Sequence, residues 1–559
     1  MQSKGDYSMK HFLTIILVLS LLTGCTKGSS NGSFNATTME AAMTSPFSAY
    51  PETVNYTIAH LDGVNNSNMP EGDTYEDNAY TRYLKQTLNI QNVNVMHQSR
   101  DQYFANIDMM ISSKELPDVM IIDDYETLHY LVEQDMIEDL TEAYKNCASE
   151  RIKSIYNSYD ASIIDNVTIN GRLFAMPETN IDDGPNLFWV RQDWINRLGL
   201  SAPETLDDVE TIVKAFVEDN PGNNDEGQTV GLMVNPILTA GTGYSSEYLL
   251  DLYFAAYNSY PQQWIKKKGE IIYGSVDSRA KKALAHIHRL YDEGIIDQQF
   301  LFRTSDDIKN EIVEGHCGCV FGPWWFPNNP LIYAWEADPS ALWKPYLIAT
   351  NEQGETRYHT IDPSGKYVVV RKGFEHPEIV FKIISVLFDQ VRYIDKNVQE
   401  INDYDRTNVD PTARPISINV DYNDALHRSY TNIKKILNDE TDEDISSLDE
   451  AFARAVMGYA NRDEESSLQN RAAYFSRVEA LSLLETDKIK KVQSYFFGTT
   501  ASMDGRWTAL KALEQETYLK IIIGEKSIDE FDDFVKKWND EGGQTITKEV
   551  RGYIKNYLQ

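Results

Sequence analysis

Apolar and polar positions along the first third of the chain alternate between two periods. Residues 54–60 and 92–97 read as strands, 76–88 and 103–112 as amphipathic helices, and Val119-Met120-Ile121-Ile122 as a fully buried strand. Strands alternating with helices predict a parallel sheet with crossover helices. A short strand over 172–177 ends in a proline, and a further apolar strand covers 187–190. Thr205 is placed to cap the amide of Asp208, and Leu206, Val209, Ile212, Val213 and Phe216 form the buried stripe of the helix it starts. Residues 278–292 make another amphipathic helix, closed by Gly294. A strand at 367–370, a helix from 376 to about 388, a polar loop region over 398–424 and a mostly helical stretch over 425–492 follow. Ser527-Ile528-Asp529-Glu530 is a capping box, and Ile528, Phe531, Phe534, Val535 and Trp538 are the buried face of the last long helix.

The apolar run Cys319 to Phe321 is predicted as a buried strand that Gly322-Pro323 stops, and Trp324 and Trp325 follow at once. Ligands of open α/β sheets bind outside the carboxyl ends of strands, so a binding aromatic is expected there; the alternative is that both indoles are core. Asp123, Asp124 and Tyr125 leave the strand at 119–122 in the same way. Their carboxylates can accept hydrogen bonds from ligand hydroxyls, or one of them caps the next helix. Cys317 and Cys319 are expected on one face of the strand and His316 on the other, which disfavours a shared metal site. With Cys147 they read as small buried thiols without a disulfide framework. His286 and His288 are two apart on a helix and cannot form a metal pair.

The length of 559 residues predicts two domains or one two-lobed body. A net charge of -33 argues against nucleic acid and anionic membrane surfaces as partners. At the N-terminus, Lys10 and His11 precede an apolar run over 12–22, too short to span a bilayer, and Leu22-Thr23-Gly24-Cys25 resembles a bacterial lipobox. Residues 1–24 are then a removed signal peptide, Cys25 carries the lipid, and residues 25–51 form a polar, flexible tether. No later stretch is apolar enough to span a bilayer, so the body is expected outside the cytoplasm, anchored to the outer face of the cell membrane.

A family likeness runs through Glu115-Leu116-Pro117-Asp118-Val119, Arg191-Gln192-Asp193-Trp194 continuing to Leu200, Pro203-Glu204-Thr205-Leu206, Gly322-Pro323-Trp324-Trp325, His376-Pro377-Glu378 and Lys520 to Asp529. In this order and spacing they resemble the solute-binding lipoproteins of bacterial carbohydrate ABC transporters, of the large oligosaccharide-binding type, similar to alginate-oligosaccharide- and maltose-binding proteins. The resemblance implies a periplasmic-binding-protein-like type II fold: two discontinuous α/β lobes, 52–175 with about 360–425 and 176–359 with about 426–559, hinged around a sugar cleft. It implies an oligosaccharide ligand, a partner permease, a monomer and no enzymatic activity. It carries the stacking role to Trp324 and to Trp507, adds Trp325 from the motif, and places the acidic position near Asp123, Asp124 and Tyr125; Trp264, Tyr244 and Tyr358 are weaker candidates. For an acidic sugar, Arg357, Lys366 and Arg414 are the candidate cations.

In the large members of the family this chain resembles, the loop after the Thr205-type helix often binds calcium through alternating Asp and Asn, ending in Asp-Glu. Here the loop reads Asn220, Gly222, Asn224, Glu226, Gln228 and Thr229. The first aspartate and the terminal acidic pair are missing, so no cofactor is expected, with Asn220, Asn224 and Glu226 the donors if calcium binds. A secreted glycoside hydrolase, which needs two facing carboxylates, and a glycan-capturing lipoprotein without a transporter are the alternatives. No Gly-x-Ser-x-Gly, His-Glu-x-x-His or P-loop string occurs.

Overall fold

The computed structural model describes residues 38–63, 69–159, 162–241, 246–407, 409–461, 467–503 and 505–557. Cys25 and Tyr244 lie outside them. Among the described residues no helix is long and apolar enough to cross a membrane.

The N-terminal half of the alternating pattern forms as read. Val54–Asp62 pairs in parallel with Ile90–Ser99 and, on its other edge, with Val119–Ile122. The helix between the first two strands is shorter than its apolar pattern, Ala79–Leu88, because Asn78 caps it with a reciprocal bond from Thr81. The sheet is not all parallel, however. Tyr367–Val370 and Met176–Pro177 complete it in antiparallel register, giving five strands. Those two strands are the ends of segments that leave and re-enter this body, so the chain direction is set by the crossing and not by a βαβ step.

A second, three-stranded sheet has Leu187–Arg191 at its centre, antiparallel to Cys319–Gly322 and Trp343–Tyr346. Both its faces are covered. Phe188, Val190, Cys319 and Phe321 point into one core, and Leu187, Trp189 and Val320 into another. Cys319 is therefore separated from Cys317, which belongs to the second of these cores: the two thiols do not share a face, because regular pairing starts only at Cys319. All three described cysteines are free and buried.

The first sheet's core draws on residues 42–176 and 367–422, and the other two cores on 187–348 and 426–554. The chain is thus a two-lobed α/β protein. Between the cores, three segments run side by side. The Thr179 amide donates to Asn419 O (2.8 Å), the Asn180 amide to Pro363 O (2.8 Å), and the Asp182 amide to Asn423 O (2.9 Å).

Four expectations need correction. Gln399–Thr407 is a helix and not a loop: Ile401 and Tyr404, both 3 % exposed, give it a narrow buried stripe that the polar residues around them mask. Ile489–Val492 is a strand, paired with Thr356–His359. Glu530–Trp538 is followed by a further helix, Gln544–Tyr557. The tether does not reach residue 51, since Met39–Met43 is helical and Ala42 and Tyr50 lie in the first core.

Candidate functional site

Gly322 ends its strand where a side chain cannot be accommodated: a Cβ would meet the Phe326 ring at 2.6 Å. Pro323 follows, its carbonyl accepting from the buried Trp189 indole (3.1 Å). These two residues turn the chain out of the sheet and deliver Trp324 to the space between the lobes. The Trp324 indole Nε1 donates to Asp183 Oδ1 (2.8 Å), and Asp183 belongs to the crossing segment 178–186. Burial pushes the Asp183 carboxyl up to about 6, with Asp182 beside it adding to the shift and the indole donor opposing it.

Trp324 lines a cavity of about 420 Å³. One wall comes from the first lobe: Arg151 on the helix Glu150–Asn157, and Arg392 and Tyr393 at the end of a π-helical turn. The crossing residues Ile181, Asp421 and Tyr422 form its floor. The opposite wall is Phe452 on the helix Ser447–Ala460 and Arg477 on the π-helical turn Phe475–Ala480. The Arg477 guanidinium sits 4.5 Å from the Trp324 ring centroid and 3.8 Å from that of Phe452. Arg151 packs 3.8 Å over Tyr393. Aromatic rings and charged groups thus converge from both lobes on one open cleft, the composition a polyhydroxylated ligand requires.

A smaller pocket, about 60 Å³, lies on the other side of Asp183 and is lined by Asp182, Asn186, Asp251, Pro323, Tyr358 and His359. Tyr358 OH donates to Asp182 (2.9 Å), and Lys491 Nζ reaches the same carboxylate (2.6 Å). His359 Nε2 lies 3.1 Å from Asp251. Burial disfavours the charge of His359, but Asp251 outweighs it and holds the pKa above the usual value.

The other candidates fall elsewhere. Trp264 is 3 % exposed and stacks on Trp507 (6.1 Å, 19°) beside Tyr273 and Trp538, so these two indoles form a packing cluster in the second lobe and line neither cavity. Trp264 has no face left for a ligand. Asp124 is a helix cap, accepting from the Thr127 amide (2.6 Å), Asp123 is exposed, and Tyr125 is buried against Tyr367 at 4.8 Å; none lines either cavity. Trp325 is half-buried against the same core as Trp324. The three cations considered for an acidic sugar serve the scaffold. Arg357 bonds Glu355 and Asn258, Lys366 bonds Glu178 (2.8 Å), and Arg414 is half-buried over Phe388 (4.7 Å). Asp183, Arg151, Arg392, Tyr393, Phe452 and Arg477 escaped the sequence reading. Only Asp183 carried a signal, in Asp182-Asp183-Gly184-Pro185 just ahead of an apolar strand.

The calcium-type loop closes on itself. Asn220 Oδ1 accepts from the Thr229 hydroxyl (2.6 Å) and the Asn224 amide (3.1 Å), while Asn224 Nδ2 donates to Thr229 Oγ1 (2.9 Å) and Gly315 O (3.0 Å). Glu226 takes no part in these bonds and is exposed. Amide donors occupy the positions where a cation would need charged acceptors. The melting temperature is therefore expected to differ by no more than about 1 °C between calcium and chelator; a rise of several degrees, as ligand binding to the native state produces, would show an occupied site.

A sequence model of the family described as bacterial extracellular solute-binding protein matches residues 66–388. Among curated proteins, lipoprotein LipO of Bacillus subtilis (strain 168) is 24% identical over 394 residues, 70% of this chain and 73% of LipO. The polygalacturonan/rhamnogalacturonan-binding protein YtcQ of the same organism is 22% identical over 402 residues, 71% of this chain and 73% of YtcQ. Among solved structures, the Streptococcus pneumoniae ABC-transporter substrate-binding protein FusA in complex with kestose aligns with a TM-score of 0.59 at 13% identity, over 90% of this chain and 99% of FusA. The alginate-binding protein AlgQ2 without calcium ion aligns with a TM-score of 0.58 at 13% identity, over 92% of this chain and 99% of AlgQ2.

Proposed function

We propose, from the premise that this chain belongs to the bacterial extracellular solute-binding protein family, that it captures an oligosaccharide between its lobes and delivers it to a membrane permease. The observation that carries the reading is the cavity of about 420 Å³ between the lobes, with Trp324, Tyr393 and Phe452 on its walls and arginines among them. The C–H face of a pyranose packs on an aromatic ring, and its hydroxyls take fixed polar partners. The names of relatives support a carbohydrate: YtcQ is a polygalacturonan/rhamnogalacturonan-binding protein and FusA a fructooligosaccharide ABC transporter substrate-binding protein.

The division that fits this function joins 52–175 with about 360–425 and 176–359 with about 426–559, with residues 42–50 added to the first set; cores drawn from 42–176 with 367–422 and from 187–348 with 426–554 support it. Sugar binding then closes the lobes about the three side-by-side segments near residues 180, 362 and 421. The proposed anchor is a diacylated Cys25 in Leu22-Thr23-Gly24-Cys25, which holds the body as a monomer at the outer face of the cell membrane. Trp324 is the proposed principal platform, and Tyr358 a residue of the smaller adjoining pocket.

The test is calorimetric titration and thermal shift of the purified mature protein against plant, algal and fructan oligosaccharides. Saturable binding with an upward shift in melting temperature is expected for at least one class. Silence across the panel overturns the reading, and release of shorter products on incubation overturns the transport role in favour of hydrolysis.

A further inference from the structure

The cations lining the large cavity are unequal. Arg151 bonds Asp389 (3.1 Å) and Asp444 (3.2 Å), Arg392 bonds Asp421 (3.2 Å), Arg428 bonds Asp424 (2.7 Å), Lys435 bonds Asp442 (2.5 Å), and His427 meets Glu485 (2.8 Å). Asp449 is spent on the Ser446 hydroxyl (2.9 Å) and Asn432 (3.0 Å). Arg477 alone among these has neither an ion pair nor a hydrogen bond to any described residue; its neighbours are the rings of Trp324 and Phe452. Burial pushes its pKa down to about 10, with Asp449 and Asp421 opposing, so it is charged at neutral pH.

Arg477 is half-buried on the wall of the cavity, so its charge faces the space a ligand would fill with no protein counter-ion beside it, and a ligand carboxylate there gains a charge-assisted pair. The two rings pack on the guanidinium carbon, leaving its N–H donors, which lie in the guanidinium plane, without an acceptor. A carboxylate, the anionic group of a uronic-acid sugar, pairs with two donors of the guanidinium fork.

We propose that the ligand is an oligosaccharide bearing a carboxylate, a uronic-acid sugar, and that Arg477 is the residue that selects it. The inference rests on the reading of this cavity as the sugar site. Trp324 then has a double task, stacking on Arg477 and presenting the sugar ring beside it.

The experiment uses the mature protein on an array of neutral and uronate-containing oligosaccharides. Calorimetry then follows, with oligogalacturonides and their methyl esters, and any other acidic hit with its ester, as paired probes. The acidic form is expected to bind at least about tenfold more tightly than its ester, with affinity falling as salt rises. Arg477→Met, which keeps the stacked volume, is expected to lose roughly a hundredfold for the acidic sugar and little for the ester, and Arg477→Lys to retain part of the preference. Thermal melts of both variants establish that they fold. Equal binding of acid and ester, exclusive binding of neutral glycans, or an unchanged Arg477→Met affinity overturns the selection by Arg477 and leaves the sugar reading intact. No binding anywhere on the array overturns the sugar reading and this inference together.

Discussion

Trp324→Ala is expected to reduce oligosaccharide affinity by at least about a hundredfold, the loss typical of a central aromatic anchor. The indole does two things that alanine cannot. It closes the second-lobe side of the cavity, and it gives its N–H to Asp183 at the crossing between the lobes. Because the side chain is only 7 % exposed, removing it also leaves a void and an indole-sized loss of packing, worth roughly 3 kcal/mol of stability. Trp324→Phe separates the two contributions: it keeps a ring beside Arg477 and most of the volume but removes the donor to Asp183. Calorimetry on both variants, beside their thermal melts, reads the result. An alanine variant that melts lower yet binds within about threefold of the parent removes Trp324 as the platform, because stability would have changed without the site noticing.

Why the position of Trp324 at a cavity was legible in the sequence and the packing of Trp507 was not is a matter of what surrounds each. A strand ending in Gly-Pro leaves the next side chain few places to go, and Gly322, blocked by Phe326, shows that the stop is steric. Trp507 opens a helix, where rotation about the axis decides which face it presents, and the packing of Trp264, Tyr273 and Trp538 decided that from elements far along the chain. The strands of the first sheet were read nearly to their ends because their apolar runs are long. Two others were misjudged for opposite reasons. Tyr367–Val370 was found, but its direction depends on the crossing it completes, and Ile489–Val492 was hidden because two of its four residues are lysines. Arg477 had no local signal at all. It is one of 52 basic residues, and only the pairing of its neighbours with other partners makes it distinct.

Lys382 makes the second large prediction, and it concerns how the N-terminal segment is held. Its ammonium is buried and donates to three backbone carbonyls, those of Ala42 (2.8 Å), Ser45 (2.5 Å) and Ser48 (2.9 Å), matching its three donors to three acceptors. Beside it Tyr50 OH donates to Glu378 (2.7 Å), so residues 42–50 are pinned to the helical region after His376-Pro377 by a small buried polar network. Lys382→Met keeps the length of the side chain but strands those carbonyls and removes a positive charge that interacts with Glu378. The expected cost is roughly 3 kcal/mol or more, read by denaturant unfolding. The loss is expected to be local first: amides of residues 42–50 should exchange freely while those of the strands Val54–Asp62 and Val119–Ile122 stay protected. Sugar affinity should not change, since Lys382 lines neither cavity. If the segment remains protected in the methionine variant, the carbonyl cage is incidental and packing of Ala42 and Tyr50 alone holds it. If it is released, this one buried lysine is what holds residues 42–50 against the first core.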